Sequence, residues 1–486
     1  MPADLPLFDG VVAILADGAR PDVLRRLAEE GHLPSYKTHF LDRQGVATAA
    51  SVFPTVSGPA HLPLLCGVHP ATANLPGIRW AERPRGNGSF WGHTRSYMSP
   101  GRAGKLQRDI PAQVSTLFAH IPGMADVNTW FVRGCPGKAR RTRFSKAGAF
   151  LRSLTTKDWY SSDLQAEHAT VKALEAGFTS VHAVFPAIDE LGHRCGPLSD
   201  ESLEAYQRFD QRLSRVVDAL VRLGRLDRTL LLVTSDHGQT GTHTHVPLDD
   251  LVESVIPQTV SYPRLWRHSR RPEAAVMVSG NAMANIYLRG ERDWNTRPDL
   301  EKAGSPACDL RQRLLEHEGI DQLLYRQADD VLVLANRNGK LKVSVPAYEG
   351  AEPPHLQVDI EGQNPLGEAT PLGKVSRIDG LRGLQAAAYT DVAWQVWNFF
   401  RSSRAGDLIV CARSGFDLRE RFEYQPHNGS HGTLHRDHML VPAAINARWP
   451  ADVALASVDL FPTILGALGK PIPAGLDGKA HSLQRL

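Results

Sequence analysis

Short apolar runs that end on an acid or an imidazole constrain this chain more than any other feature. Val11–Ala16 runs into Asp17-Gly18, Val181–Phe185 precedes Asp189, and Leu230–Thr234 leads to Ser235-Asp236-His237-Gly238. Leu408–Cys411 and Met439–Ile445 are later runs of similar length. Continuous β-branched and aliphatic runs of this length suit strands buried on both faces of a mostly parallel sheet. Between two of them, Glu201–Leu223 carries Leu203, Tyr206, Phe209, Leu213, Val216, Val217 and Leu220 at helical spacing, with Gly224 placed to cap it. Strand, helix and strand in this order predict an α/β fold, with a mostly parallel central sheet flanked by helices. Ligands in such sheets gather at the carboxyl ends of the strands. Asp17, Asp189, Asp236 and His237 stand at those ends.

The chain has 486 residues, enough for two or three ordinary cores or for one large core with long insertions. One core over 8–486 is expected, interrupted at about 79–150 and about 255–400. The first stretch is rich in Arg, Gly, Pro and Trp, and the second is Pro-rich with weaker strands at Ala284–Leu288, Val331–Leu334 and Leu341–Val345. Both read as insertions able to form a lid. Hydrophobic residues at 42% and charged residues at 22% exclude disorder along the whole chain. A formal charge of +3 is too small to argue for nucleic-acid binding. Local basic clusters, Arg79, Arg83, Arg85, Arg95, Arg102, Lys105 and Arg108, then Lys138, Arg140, Arg141, Arg143 and Lys146, form either a solvated surface or a field for a small anionic substrate. Five scattered cysteines without a CxxC pair argue against a disulfide framework. The N-terminal apolar run is a strand length, and no window reaches a membrane span. A cytoplasmic protein is expected, of undefined oligomeric state.

The residue types at the strand ends carry chemistry. Asp17, Asp189, His193, Asp236, His237 and His431 mix hard oxygen with imidazole, which suits zinc or manganese better than calcium. Asp189 and His193 are four apart in DELGH, a spacing that puts both on one side of a helical turn. Ser57, in FPTVSGPAH, precedes the apolar stretch Leu62–Cys66. A hydroxyl there serves either as a helix cap or, beside a metal, as a nucleophile. His243 and His245 follow in GTHTHVP as polar-loop or proton-donating groups, and His435 and His438 compete with His431 as ligands.

Taken in order, ILADGARPD, FPTVSGPAHLPLLCGVHP, AIDELGHRCGP, LLLVTSDHGQT, GSHGTLHRDHMLVPAAI and SVDLFPTILGALGKPIP resemble the type I phosphodiesterase and nucleotide pyrophosphatase branch of the alkaline phosphatase superfamily. The resemblance spans most of the chain but not its long middle stretches. It implies a hydrolase of phosphoric ester bonds with two divalent metal ions, zinc or manganese. Asp189, His193 and His431 would hold one ion, and Asp17, Asp236 and His237 the other. Ser57 aligns with the attacking hydroxyl and Thr55 does not, so a covalent phospho-Ser57 intermediate is implied. The branch usually has Thr at that position.

Diesterases of the branch usually carry a downstream Asn that contacts a non-bridging oxygen. Leu75-Pro76-Gly77-Ile78-Arg79-Trp80 offers no clear counterpart, with Asn74 nearby. Arg79 is the substitute phosphate contact suggested by its place. That departure keeps phosphomonoesterase, phosphonate or sulfate ester hydrolase and phosphomutase activities open. Ser57-Gly58-Pro59-Ala60-His61 lacks the Arg of a sulfatase motif. A metal-binding module without turnover is the non-enzymatic alternative.

Overall fold

A computed structural model describes residues 6–83, 93–97, 105–142, 156, 158–261, 272–348, 354–367, 370–382, 387–419 and 427–485. Arg85, Arg102, Arg143 and Lys146 of the basic clusters lie outside the described residues.

The central sheet has seven strands: β1 (Gly10–Ala16), β2 (Val46–Ala50), β3 (Ala125–Val127), β4 (Val181–Phe185), β5 (Thr229–Thr234), β6 (Leu440–Ile445) and β7 (Leu455–Ala456). Their order across the sheet is β7-β2-β6-β5-β1-β4-β3. β1 pairs in parallel with both β4 and β5, in the registers Val12↔Val181 and Val12↔Leu231. Only β6 runs against its neighbours β2 and β5. The sheet is therefore mostly parallel, as the apolar runs predict.

Alternation along β1 explains why helices cover both faces. Val11, Ala13 and Leu15 join one core with the short helix α2 (Leu62–Cys66) and with α6 (Leu460–Ala467), while Val12, Ile14 and Ala16 join another. That second core receives α1 (Pro21–Glu29), α3 (Tyr160–Glu175), α4 (Ala187–Cys195) and α5 (Asp200–Arg222). The apolar stripe of α5 is buried there through Leu213, Val216, Val217 and Leu220, each worth about 1.5–3 kcal/mol at most. Ser199 caps α5 by accepting from Ser202 N, and Gly224 (φ +63°) follows its end.

Residues 259–412 supply a second, nine-stranded sheet, antiparallel apart from its last pair, Thr259–Ser261 with Ala274–Ser279. Leu408–Ala412 lies inside this sheet, antiparallel to both neighbours, rather than in the central one. Burial on both faces gives the same apolar run in either sheet, so the run reveals burial and not strand direction. Helix Val392–Phe400 packs on this sheet and shares a core with Phe53, whose N–H donates to Gln395 Oε1 (2.8 Å). The second sheet thus braces the segment that carries Ser57. A three-stranded sheet of Thr240–Pro247, Gly415–Arg419 and Gly429–Ser430 pairs Thr240 with Ser430. This pairing draws His431 towards His237.

One buried acid supports the start of α4. Asp163 on α3 accepts from Ala187 N (3.1 Å), and burial pushes its carboxyl up to about 7 against the opposing pull of that N–H and of Arg212. The folded chain then holds a proton that the unfolded chain has already released between about pH 4 and pH 7. Stability from this group is lost as pH rises through that window. Asp163→Asn keeps the acceptor and is expected to stabilise the protein at pH 8 by up to about 4 kcal/mol, with little effect at pH 4. Urea melts at the two pH values check this, and an equal change at both would remove Asp163 as the cause.

Candidate active site

The strand ends meet at one edge of the central sheet. Asp17 follows β1, Asp236 and His237 follow β5, and Asp189 and His193 lie one turn apart on α4. Gly18 takes φ +74°, and a Cβ there would stand 2.9 Å from Asp189 Cα. Glycine at this position lets the turn after β1 close onto α4. Gly18 N also lies 3.4 Å from Asp236 Oδ1, and Ala19 N donates to Ser235 Oγ (3.0 Å), tying that turn to the one after β5.

All six candidate ligands come together, in overlapping groups. His193 Nε2 is 3.6 Å from Asp189 Oδ1 and 3.1 Å from His431 Nε2, and His431 Nε2 is 3.9 Å from Asp189 Oδ1. On the other side, His237 Nε2 lies 3.3 Å from Asp236 Oδ2 and 3.7 Å from Asp17 Oδ1. The rings of His237 and His431 stack with centroids 3.7 Å apart, joining the two groups. Ser57 Oγ sits at this junction, 3.0 Å from His237 Nε2 and 3.5 Å from Asp17 Oδ1. It is half-buried, whereas Thr55 is fully buried. Thr55 Oγ1 donates to Thr433 O (2.9 Å) and accepts from Gly432 N (3.1 Å), fixing the loop that carries His431. Ser57 does not cap a helix: Gly58 (φ +94°) follows it, and a 3₁₀ turn from Pro59 to His61 intervenes before α2.

The donor set fits divalent cations. His193 turns Nδ1 to Gly429 O (2.8 Å), His431 to Thr55 O (2.7 Å) and His237 to Gly238 O (3.2 Å). A carbonyl at Nδ1 places the proton there and leaves Nε2 as a lone-pair donor facing inward. Burial pushes the His193 and His431 imidazoles below their ordinary range, which keeps them neutral and ready to ligate. Two such nitrogens 3.1 Å apart need a shared proton or a cation between them.

The carboxylates give the same indication. Burial, then the neighbouring Asp236 and Asp189, push Asp17 well above its ordinary range. Burial also works against Asp236, but the imidazoles of His237 and His61 hold it below the carboxylate range. A bound cation would reverse the Asp17 shift.

Two participants have no counterpart among the sequence-based expectations. His61 is fully buried, with Nε2 3.3 Å from Asp236 Oδ2 and 4.0 Å from Asp17 Oδ2, and among the described residues neither ring nitrogen has a well-formed hydrogen bond. Among those residues three groups are spaced for a cation, Asp189 with His193 and His431, Asp17 with Asp189 and His237, and Asp17 with His61 and Asp236, so Asp17 and Asp189 are each shared between two. Gln239, just after Asp236-His237-Gly238, donates to Asp189. Both lie within quoted motifs, but nothing in their spacing marks a role.

The remaining candidates have partners of their own. Arg79 lies in the short strand Arg79–Ala81, its Nε donating to Ser96 Oγ (3.2 Å). Asn74 is engaged with Ser402 and Ser403 through its side chain. His438 is buried between Thr433 Oγ1 (2.8 Å) and Thr240 Oγ1 (2.9 Å), and His435 Nδ1 accepts from Asp437 N (3.2 Å). His245 pairs with Asp417 (2.8 Å), and His243 is exposed beside Thr244. Arg83 is paired with Asp407 (2.6 Å), and Arg95 lies 3.6 Å from Asp109, so part of the basic stretch is neutralised internally. Among the described residues, no helix is long and apolar enough to cross a membrane.

Comparison with known proteins places this geometry. The family described as type I phosphodiesterase / nucleotide pyrophosphatase matches residues 11–335, well over half of the chain. A curated relative, GPI ethanolamine phosphate transferase 1 of Gibberella zeae, is 26% identical over 264 residues. That match covers 50% of this chain and 24% of the relative, so the chain spans about a quarter of the length of the curated protein it matches. Phosphonoacetate hydrolase from Sinorhizobium meliloti 1021, solved with phosphonoacetate, superposes with a TM-score of 0.56 at 17% identity, covering 96% of each chain. Human ectonucleotide pyrophosphatase / phosphodiesterase 5 gives 0.52 at 14% identity, covering 96% of this chain and 97% of that one. At these identities the likeness to the two structures is one of fold. The family match covers β1 from Val11 on, the Ser57 segment, α4 and the Asp236-His237 turn, and the chain belongs to the type I phosphodiesterase / nucleotide pyrophosphatase family.

Proposed function

We propose that this chain hydrolyses small anionic phosphoesters through a covalent phospho-Ser57 intermediate at a site for two divalent cations. The observation that carries this reading is the position of Ser57 Oγ, half-buried at the junction of two acid–imidazole groups and 3.0 Å from His237 Nε2. Asp189, His193 and His431 would hold one ion, and Asp17, Asp236 and His237 the other, with zinc favoured by the imidazole content and manganese next. Bound there, the ions supply Lewis-acid stabilisation of charge on the phosphoryl oxygens and lower the pKa of an adjacent hydroxyl. Ser57 Oγ forms the bond to phosphorus, and the leaving oxygen departs with the bonding electron pair and, through solvent, with the proton that Ser57 gives up. Water then attacks phosphorus, the bond to Ser57 Oγ breaks, and Ser57 Oγ takes up the proton that the water loses. Asp17 lies beside Oγ and orients it, while Thr55 holds His431 from behind. The five cysteines are all free, which supports a reducing, cytoplasmic setting. One core over 8–486 is proposed, interrupted at about 79–150 and about 255–400, with the first stretch also supplying β3 to the central sheet and both able to form a lid.

Compact monoesters or phosphonates are favoured over diesters by one observation, the engagement of Asn74 with Ser402 and Ser403. Arg79 is proposed as the phosphate contact, its guanidinium fork matching the free oxygens of a monoester. The test is turnover of a para-nitrophenyl phosphate monoester and of a methyl para-nitrophenyl diester by the metal-loaded protein. Mapping of acid-quenched phosphoserine accompanies it. Ser57 is expected to carry the phosphoryl group, and Arg79→Ala to lose about tenfold to a hundredfold on the monoester alone. An equal small change on both esters would assign Arg79 to the surface. A metal-loaded chain that turned over no phosphoester would remove the hydrolase reading.

A further inference from the structure

We infer that Gln239 is a positioning residue that fixes the Asp189 carboxylate and locks α4, the Asp236-His237 turn and the strand before His431 into one unit. The inference rests on the metal-dependent reading above and concerns a residue outside the six ligands.

Gln239 is almost wholly buried. Its Nε2 donates to the Asp189 main-chain oxygen (2.9 Å) and also to Asp189 Oδ1. Two acceptors on one residue identify the nitrogen end of the amide. Oδ1 is the oxygen that faces His193 Nε2 at 3.6 Å and His431 Nε2 at 3.9 Å. The amide therefore holds the atom that completes the Asp189–His193–His431 group.

The space around the amide is built to hold it. A Cβ on Gly192, between Asp189 and His193 on α4, would stand 2.0 Å from Gln239 Oε1, and a Cβ on Gly429 would stand 3.2 Å from it. A Cβ on Gly429 would also stand 2.4 Å from Gly192 O, so α4 and the strand before His431 approach backbone to backbone. His193 Nδ1 donates across this contact to Gly429 O (2.8 Å). On its other side Gln239 is held by Arg20, whose Nη1 donates to Gln239 O (3.1 Å) and lies 3.1 Å from Asp437 Oδ2.

A neutral donor suits the position. Asp189 lies near Asp17, and a charged neighbour would either compete for the cation or repel it. An amide orients the carboxylate and leaves its charge for the ion. Outer groups of this kind typically cost 10-fold to 100-fold in metal affinity when removed.

The test is competitive zinc binding against a chromophoric chelator, with elemental analysis, on the full chain. The parent is expected to hold two zinc ions. Gln239→Met keeps the length and removes the donor. It should weaken one ion by about 10-fold to 100-fold and leave the other at parental affinity, with the stripped protein melting close to the parent. Gly192→Ala is an independent lever, since its methyl displaces the amide without touching Asp189, and it should weaken the same ion. In a Gln239→Ala background, where the space is open, Gly192→Ala should have no further effect. These crossed substitutions keep the test open even if Gln239→Met does not fold. Both ions held at parental affinity in the Gln239→Met and Gly192→Ala variants would overturn the inference. So would an equal weakening of both ions alongside a large drop in melting temperature, which is the signature of a packing role. A parent chain that takes up no zinc would overturn the metal reading itself, separately from the role of Gln239.

Discussion

Ser57→Ala is expected to abolish turnover while leaving the fold intact. Among the described residues the hydroxyl hydrogen-bonds to His237 Nε2 and Asp17 Oδ1 and caps no helix, so its removal should cost under about 1 kcal/mol. With Ser57 as the proposed nucleophile, its loss would remove the covalent route altogether, and kcat should fall by at least about a thousandfold. Thr55→Ala should show the opposite balance. Its hydroxyl is buried and serves both Thr433 O and Gly432 N, so its loss should cost about 1–3 kcal/mol and reach catalysis only through the His431 loop. Melting curves and steady-state rates on the two variants separate the roles. If Thr55→Ala were the dead enzyme and Ser57→Ala kept near-normal rates, the nucleophile would be misassigned.

The contrast between these hydroxyls shows what was legible in the sequence. The central sheet was legible because strands buried on both faces leave continuous apolar runs, and β1, β4 and β5 lie where those runs fall. The pairing of Asp189 with His193 was legible because a helical turn fixes the spacing. The direction of Leu408–Ala412 was not, since an antiparallel strand buried on both faces has the same composition. The nine-stranded sheet was legible only in part. Ala284–Leu288, Val331–Leu334 and Leu341–Val345 fall on its strands, whereas Leu356–Gly362 alternates, gives a weak local signal and is specified by its partner.

His61 and Gln239 mark the limit on the site side. His61 meets Asp236 from 175 positions away, and Gln239 meets Asp189 across 50. Their residue types are ordinary, and only the close approach of glycine-lined backbones at 192 and 429 gives the amide its direction. Contacts made by packing rather than by local spacing leave no periodic trace.

The same crowding predicts that one substitution will change sign with metal content. Asp17, Asp189 and Asp236 are all buried, and burial together with Asp236 and Asp189 drives the Asp17 carboxyl well above its ordinary range. Without a cation, a negative charge at Asp17 is unfavourable, and Asp17→Asn removes it while keeping the shape. The stripped variant should therefore be more stable than the stripped parent at pH 8, by about 1–2 kcal/mol. With metal the balance reverses. An ion present at a hundred times its dissociation constant stabilises the parent by about 2.7 kcal/mol, and Asp17→Asn removes a charged ligand and forfeits most of that. Denaturant melts of parent and variant, each with zinc and with excess chelator, give the four values needed. Opposite signs in the two conditions are the expected outcome. A variant less stable than the parent in both would mean that Asp17 is held by its protein neighbours alone, and Asp17 would then leave the ligand set.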